Sequence, residues 1–125
     1  MLVDTDVLLW NLRGNERARD RLDSMSGFLV SVVTYMELAQ GVRNAAELRT
    51  LRRALRYWNA EILHLSEDVS ARASYFVETC ALSHNLQLAD ALIAASALST
   101  GHTLLTANDR HYGFIDGVDI GVFRP

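Results

Sequence analysis

The chain has 125 residues, a formal net charge of −3 and 50% hydrophobic residues, which predicts one compact domain over residues 1–125. Cys80 is the only cysteine, so no internal disulfide can form, and all 12 basic residues are arginine. The lack of lysine excludes a phosphate-loop lysine and Schiff-base chemistry. No signal peptide is visible, and no apolar run reaches the roughly 18 residues of a membrane span, so we expect a cytoplasmic protein without membrane contact.

Short apolar runs alternate with amphipathic helices along the chain, which predicts an α/β fold. The predicted strands are residues 1–5, 27–31, 62–65, 103–106 and 118–123. The predicted helices are residues 6–13, 15–25, 34–42 and 45–58, a long helix capped by Ser66, residues 88–99, and a short turn from Asn108. This alternation indicates a parallel sheet covered on both faces, with the carboxyl ends of its strands at one edge.

Acidic residues follow the first predicted strand, at the edge where α/β sheets bind ligands. A charge directly after an apolar strand is costly to desolvate unless it is paired or bound to a metal. Capping of the helix that starts at Val7 is the alternative for Asp4 and Asp6. Asp6 suits that cap, so we assign a functional role to Asp4 and a mixed role to Asp6.

Further polar residues recur at the starts of later elements. Glu37 is either functional or part of a capping box with Thr34, and both interpretations stay open. Asp90 opens an apolar helix, where the helix dipole alone would explain it, but its apolar neighbours favour a functional carboxylate. One of Asn108 and Asp109 is expected at the same edge as the strand ends.

The remaining polar residues give weaker signals. The four histidines have no zinc spacing and are interpreted as surface or packing residues: His64, His84, His102 and His111. Ser31 and Thr106 end strands, where a hydroxyl either binds a ligand or caps a helix. Four arginines form a stripe on one predicted helix, either as a solvated face or as a contact for RNA phosphate or an acidic partner: Arg49, Arg52, Arg53 and Arg56.

Four blocks in series resemble the PIN domain family, and within it the VapC-type toxin ribonucleases. The blocks are residues 2–8 (LVDTDVL), 31–38 (SVVTYMEL), 88–95 (LADALIAA) and 104–112 (LLTANDRHY). Each block is weak alone, but four in this order span nearly the whole chain. The resemblance implies a three-layer α/β/α domain with a central five-stranded parallel sheet.

The resemblance also implies a function. It implies endonucleolytic cleavage of RNA with Mg²⁺ or Mn²⁺, a homodimer, and a cognate antitoxin that covers the acidic pocket. The motif match carries the metal ligands to Asp4, Glu37 and Asp90. It carries the fourth catalytic position to Asn108, with Asp109 as a neighbour and Asp6 and Thr106 as supporting residues.

Such a site suits hydrolysis by an activated water. Crowded carboxylates raise one another's pKa values, and a divalent cation relieves that repulsion, activates water and neutralises charge on the phosphodiester. Glu37 or a neighbouring carboxylate then accepts the proton of the water.

Two alternatives remain at this point. Residues 2–7 also resemble the motif of haloacid-dehalogenase-type phosphatases, but those need a lysine that this chain lacks. The other alternative is a PIN fold that has lost catalysis and serves as a binding module.

Overall fold

The computed structural model describes all 125 residues and contains a five-stranded sheet in which every strand pair is parallel. The strands are β1 (Leu2–Val3), β2 (Phe28–Ser31), β3 (Ala60–Leu63), β4 (Leu104–Thr106) and β5 (Ile120–Val122), in the order β3-β2-β1-β4-β5. The short central β1 pairs through Leu2 with Leu29 on one side and Leu104 on the other. The carboxyl ends of all five strands therefore meet at one edge.

Six α-helices and one 3₁₀ turn connect the strands. They are α1 (Thr5–Leu12), α2 (Glu16–Asp23), α3 (Val32–Gly41), α4 (Ala45–Tyr57), α5 (Glu67–His84), α6 (Leu88–Thr100) and the 3₁₀ turn Asp109–His111. None of the helices combines the length and hydropathy that a membrane crossing requires.

The sheet separates two apolar cores, because successive side chains of a strand point to opposite faces. Leu2 of β1 and Leu104 of β4 pack with α5 and α6 on one face. Val3 and Leu105, the next residue of each strand, pack with α1, α2 and α4 on the other face. The predicted three-layer α/β/α architecture with a central five-stranded parallel sheet is confirmed.

Two predicted helix starts are wrong, and both errors concern candidate site residues. Asp4, not Asp6, is the N-cap of α1, and its side chain accepts a hydrogen bond from the Thr5 amide. Helix α3 starts at Val32 with Ser31 as its N-cap, so Thr34 and Glu37 form no capping box. Glu37 is thereby left without a capping role.

Candidate active site at the carboxyl edge of the sheet

Asp4 lies in the centre of the carboxyl edge and is only 4% exposed. Its Oδ1 accepts a hydrogen bond from the Thr5 amide at 2.8 Å, and its Oδ2 accepts one from the Thr106 hydroxyl at 2.8 Å. Burial, together with the nearby charge of Asp6, raises the pKa of Asp4 from 3.8 to about 7. A carboxylate in this setting is stabilised by any cation that reaches it.

Asp6 faces the same hydroxyl from the first turn of α1. Its Oδ2 accepts hydrogen bonds from the Ala107 amide at 2.9 Å and from the Thr106 hydroxyl at 3.3 Å. Its Oδ1 is buried and has no hydrogen-bond partner. Burial raises the pKa of Asp6 as well. Buried polar atoms almost always have a partner, so this oxygen is suited to a ligand.

Asp90 joins the site through Tyr112. The Tyr112 side chain is fully buried, and its hydroxyl donates a hydrogen bond to Asp90 Oδ1 at 3.2 Å. Burial and the charges of both Asp4 and Asp90 raise the pKa of Tyr112, which keeps the phenol protonated. The hydroxyl therefore links the two carboxylates, one from the residue after β1 and one from α6.

His111 is exposed, in keeping with its interpretation as a surface or packing residue, and it also contacts Asp90. Its Nδ1 lies 3.3 Å from Asp90 Oδ2, while about half of the ring remains exposed. The adjacent tyrosine is buried and this histidine is not, so the 3₁₀ turn presents two different groups to one carboxylate.

Glu37 reaches the site through Thr5. The Thr5 hydroxyl donates a hydrogen bond to Glu37 Oε1 at 2.8 Å and lies 2.9 Å from the hydroxyl of the buried Thr34. Because Thr5 directly follows Asp4, this bond ties the exposed Glu37 carboxylate to the same edge.

Asn108 and Asp109 occupy different surroundings. The backbone N–H of Asn108 donates a hydrogen bond to the Thr106 hydroxyl at 3.0 Å, and the residue is exposed. Asp109 pairs with Arg124 at 2.9 Å, and the hydrogen bond from that guanidinium lowers the pKa of Asp109. Asn108 is thus next to the acidic network, whereas Asp109 is engaged elsewhere.

The four stripe arginines lie outside this network. Arg49, Arg52, Arg53 and Arg56 are exposed on α4, and none of them forms an ion pair. Arg52 Nε donates a hydrogen bond to the Tyr35 hydroxyl at 3.3 Å. Their contact with RNA or a partner stays a prediction.

Three residues of the network were not assigned a role from the sequence: Thr5, His111 and Tyr112. Thr5 stands between two acids, and the other two belong to the last of the four motif blocks. That position was the available signal, but a tyrosine after a histidine does not reveal that its hydroxyl is buried between two carboxylates.

The donor set fits a hard divalent cation. In this arrangement of the side chains, no group of three or more histidine, cysteine or acidic residues is placed to hold a metal ion, and this includes the predicted set Asp4, Glu37 and Asp90. The site offers oxygen donors, including the unpaired Asp6 Oδ1. Mg²⁺ is usually held by one or two carboxylates, with waters and substrate phosphates completing its shell, so a closed protein cage is not required.

Two cavities flank the carboxylates. A groove of about 320 Å³ opens beside Glu37 between α1, α3 and α4, and its apolar lining includes Leu9, Leu12, Leu38 and Leu51. On the other side, a pocket of about 160 Å³ reaches Asp90, and only two of its eight lining residues are hydrophobic.

The fold is a three-layer α/β/α domain with a parallel sheet, and carboxylates cluster at the carboxyl edge of that sheet. Comparison with known proteins gives the family of this chain. The sequence profile of the PIN domain matches residues 1–116, and the chain belongs to the PIN domain family. This assignment sets aside the phosphatase alternative.

Individual relatives agree with this assignment. Ribonuclease VapC10 of Mycobacterium tuberculosis is 37% identical over 116 residues, covering 90% of this chain and 85% of the relative. A toxin–antitoxin complex from Klebsiella pneumoniae has a TM-score of 0.78 at 27% identity, over 94% of this chain and 93% of the other. FitAcB from Neisseria gonorrhoeae has a TM-score of 0.73 at 28% identity, over 95% and 94%. The resemblance to VapC-type ribonucleases is confirmed.

Proposed function

We propose that this chain is a metal-dependent endoribonuclease that acts as the toxin of a type II toxin–antitoxin pair. The observation that carries the proposal is the convergence of Asp4, Asp6 and Asp90 around the Thr106 and Tyr112 hydroxyls. Support comes from a relative named as a ribonuclease and from a similar structure described as a toxin–antitoxin complex.

Asp4, Asp90 and Glu37 are the residues that would hold Mg²⁺ in this proposal, and Mn²⁺ would be able to replace it. When bound, the cation neutralises charge on the phosphodiester and lowers the pKa of water. Thr106 orients Asp4, and Tyr112 orients Asp90 by the hydrogen bonds described above. Asp6 adds negative charge next to Asp4, so the metal-free site has an excess of negative charge that a cation would neutralise. Asn108 offers an exposed amide to the substrate.

Glu37 or a neighbouring carboxylate would accept the proton of the attacking water, and Glu37 is the better placed of them. It is the exposed member of the carboxylate set, and its pairing with the Thr5 hydroxyl fixes Oε1 while Oε2 has no hydrogen-bond partner within the chain. A general base needs to reach the proton that it accepts, and an exposed carboxylate with one oxygen free of hydrogen bonds has that reach.

The antitoxin partner suits the groove beside Glu37. An apolar groove of about 320 Å³ accommodates the apolar face of a helical segment, and such a segment would cover Glu37 at the same time. The chain is also proposed to form a homodimer in the cytoplasm. Residues 117–125 add β5 to the same sheet, which supports one domain over residues 1–125.

The test is expression of the chain alone, with mapping of the 5′ ends of cellular transcripts. The wild type should arrest growth and create new RNA ends, and Asp4→Asn and Asp90→Asn should abolish both. Asp20→Asn, an exposed acid of α2, is the matched control and should behave as the wild type. Equal toxicity of the wild type and Asp4→Asn would refute the proposal.

A binding module without catalysis is the remaining alternative. It predicts that Mn²⁺ neither binds nor raises the melting temperature, with Asp4→Asn and Asp90→Asn leaving both measurements unchanged. Ligand binding to the folded state raises stability in proportion to the logarithm of ligand concentration, so a metal titration separates the two.

A further inference from the structure

The pocket next to Asp90 is lined by groups that have no role in the proposed hydrolysis, such as His84, Gln87 and Arg110. It lies between the α5–α6 turn and the 3₁₀ turn, and its volume is about 160 Å³. Pockets for drug-sized ligands span roughly 300–1,000 Å³, so this one suits a single ring system rather than a protein segment.

A stacked aromatic pair forms one wall of the pocket. The rings of His84 and Phe114 lie 4.2 Å apart between centroids with an interplanar angle of 13°. His84 is exposed, and its Nδ1 lies 2.8 Å from the Ser83 hydroxyl, which fixes the plane of the ring. A flat, exposed ring held in one orientation is a platform on which another ring can stack.

Apart from Leu86 and Asp90, the rest of the lining is formed by polar groups and one arginine. Arg110 is exposed and forms no ion pair, and His111 contacts Asp90. The Gln87 side-chain amide donates to the backbone oxygen and to Oδ1 of Asn85, both at 3.1 Å. Its own oxygen accepts no hydrogen bond within the chain and remains an acceptor for a ligand.

We propose that this pocket binds the nucleotide of single-stranded RNA that adjoins the scissile phosphate, with its base stacked on His84 and its phosphate on Arg110. Proteins recognise single-stranded RNA by stacking bases on aromatic or histidine rings and by pairing arginine with phosphate. The pocket combines these groups and reaches Asp90, so a nucleotide there lies beside the carboxylates. This inference rests on the proposed ribonuclease function and adds a subsite to it.

The test measures RNA binding without cleavage. A fluorescein-labelled oligoribonucleotide pool of random sequence is titrated with protein in EDTA, and anisotropy gives the affinity at several salt concentrations. His84→Ala should weaken binding about fivefold, the lower end expected for one stacked base. Arg110→Ala should reduce the slope of log affinity against log salt by about 0.7, the value for one phosphate contact on a single strand.

Matched variants control for composition and folding. His102→Ala, before β4 at the opposite edge of the sheet, and Arg17→Ala, exposed on α2, should bind RNA as the wild type does. Both tested side chains are exposed, so the melting temperatures of all four variants should stay close to that of the wild type. If His84→Ala and Arg110→Ala bind RNA as tightly as the controls, the proposal is overturned.

A second measurement separates this inference from the proposed function. RNA is incubated with Mg²⁺ and either the wild type or Gln87→Ala, and the nucleotides next to each new RNA end are compared. The preference of Gln87→Ala for particular nucleotides at the cleavage site should be weaker than that of the wild type. Cleavage with an unchanged preference, together with unchanged binding by His84→Ala, refutes the subsite alone. Weakened binding by His84→Ala with no cleavage by the wild type refutes the nuclease and retains the nucleotide pocket.

Discussion

Asp4 predicts an unusual pH dependence of stability in the metal-free protein. Its pKa rises from 3.8 to about 7 on folding, so the folded chain holds the proton more tightly than the unfolded chain does. The resulting stability is fully present below pH 3.8 and is lost as the pH rises towards 7. In EDTA, urea unfolding should show a free energy of unfolding that falls by about 1.4 kcal/mol per pH unit in this window through Asp4 alone.

Asp4→Asn isolates this effect, because asparagine keeps the shape and does not titrate. The difference between wild type and variant should grow across the same window, and Asp20→Asn should match the wild type throughout. Saturating Mg²⁺ should flatten the wild-type profile, since the cation stabilises the ionised form. A wild-type profile parallel to that of Asp4→Asn would contradict the assignment of Asp4 as a strained buried acid.

Tyr112→Phe tests the link between Asp4 and Asp90. The substitution keeps the buried ring and removes the hydroxyl that donates to Asp90 at 3.2 Å. Loss of one hydrogen bond should cost about 0.5–1.5 kcal/mol of stability. Loss of a group that orients a metal-binding carboxylate should lower the apparent Mg²⁺ affinity about 10- to 100-fold, measured by calorimetry.

The matched control is Tyr57→Phe, whose side chain is 75% exposed on α4. It should change neither stability nor Mg²⁺ affinity. If Tyr112→Phe loses stability while its Mg²⁺ affinity equals that of the control, the hydroxyl serves the fold and not the site.

The position of a candidate site residue was predictable where the residue type allowed few alternatives. A charged side chain after an apolar strand indicated Asp4 as functional, and its burial agrees with that argument. The N-cap of α1 was assigned to Asp6 from the sequence, but the helix starts two residues earlier and its N-cap is Asp4. Helix starts are commonly uncertain by a residue or two. The role of Tyr112 depends on contacts between α6 and a turn some twenty residues later, which no local pattern encodes.

At the scale of elements, strong patterns gave nearly correct bounds. The helix predicted over 88–99 is found at Leu88–Thr100, and its small apolar residues are buried as expected. The strand predicted at 62–65 lies instead at Ala60–Leu63. Strand pairing decided that position, because Phe28 to Ser31 align with Ala60 to Leu63, and pairing partners are not visible in a single apolar run.

Helix α4 carries the arginine stripe, a positively charged surface outside the acidic site. Its apolar residues, Leu51 and Leu55 among them, pack on the sheet, so the arginines necessarily face solvent. Arg52→Glu with Arg53→Glu should weaken binding to RNA or to the antitoxin and leave the melting temperature unchanged. If both arginines contact RNA phosphates, the salt slope of RNA binding should fall by about 1.4, measured by anisotropy in EDTA.

The same reversal on α2, Arg17→Glu with Arg19→Glu, gives an equal change in net charge on another exposed helix. It should leave the salt slope close to the wild-type value. Unchanged affinity of the α4 variant for both RNA and the antitoxin would assign the stripe to plain solvated surface.

At the scale of the whole molecule, the parallel sheet explains how distant residues form one site. Asp4, Glu37 and Thr106 follow or end three neighbouring strands, so the shared edge brings them together without any local sequence relation. Asp90 comes from α6, which packs against that sheet through its buried face. The sheet order made this convergence predictable, whereas the side-chain links through Thr5 and Tyr112 were not.

At the scale of the whole molecule, large apolar side chains are also exposed on the α5–α6 pair, as they are at several positions on other elements. Tyr75 is 62% exposed, Leu82 fully exposed and Leu88 69% exposed. A standard interface buries roughly 800 Å² per partner, and apolar area contributes about 25 cal/mol per Å². We propose this surface as the interface of the proposed homodimer, because it carries Leu82 and Leu88, two of the most exposed apolar side chains of the chain.

Leu82→Glu with Leu88→Glu should convert the dimer to a monomer, measured by sedimentation equilibrium. In a two-fold symmetric dimer each substitution enters the interface twice, so two substitutions bury four unpaired carboxylates, and each carries a large desolvation cost. Tyr57→Glu places a charge on an equally exposed apolar residue of α4 and should leave the dimer intact. If the variant remains dimeric, the interface lies on another face of the chain. A monomeric wild type would exclude the homodimer.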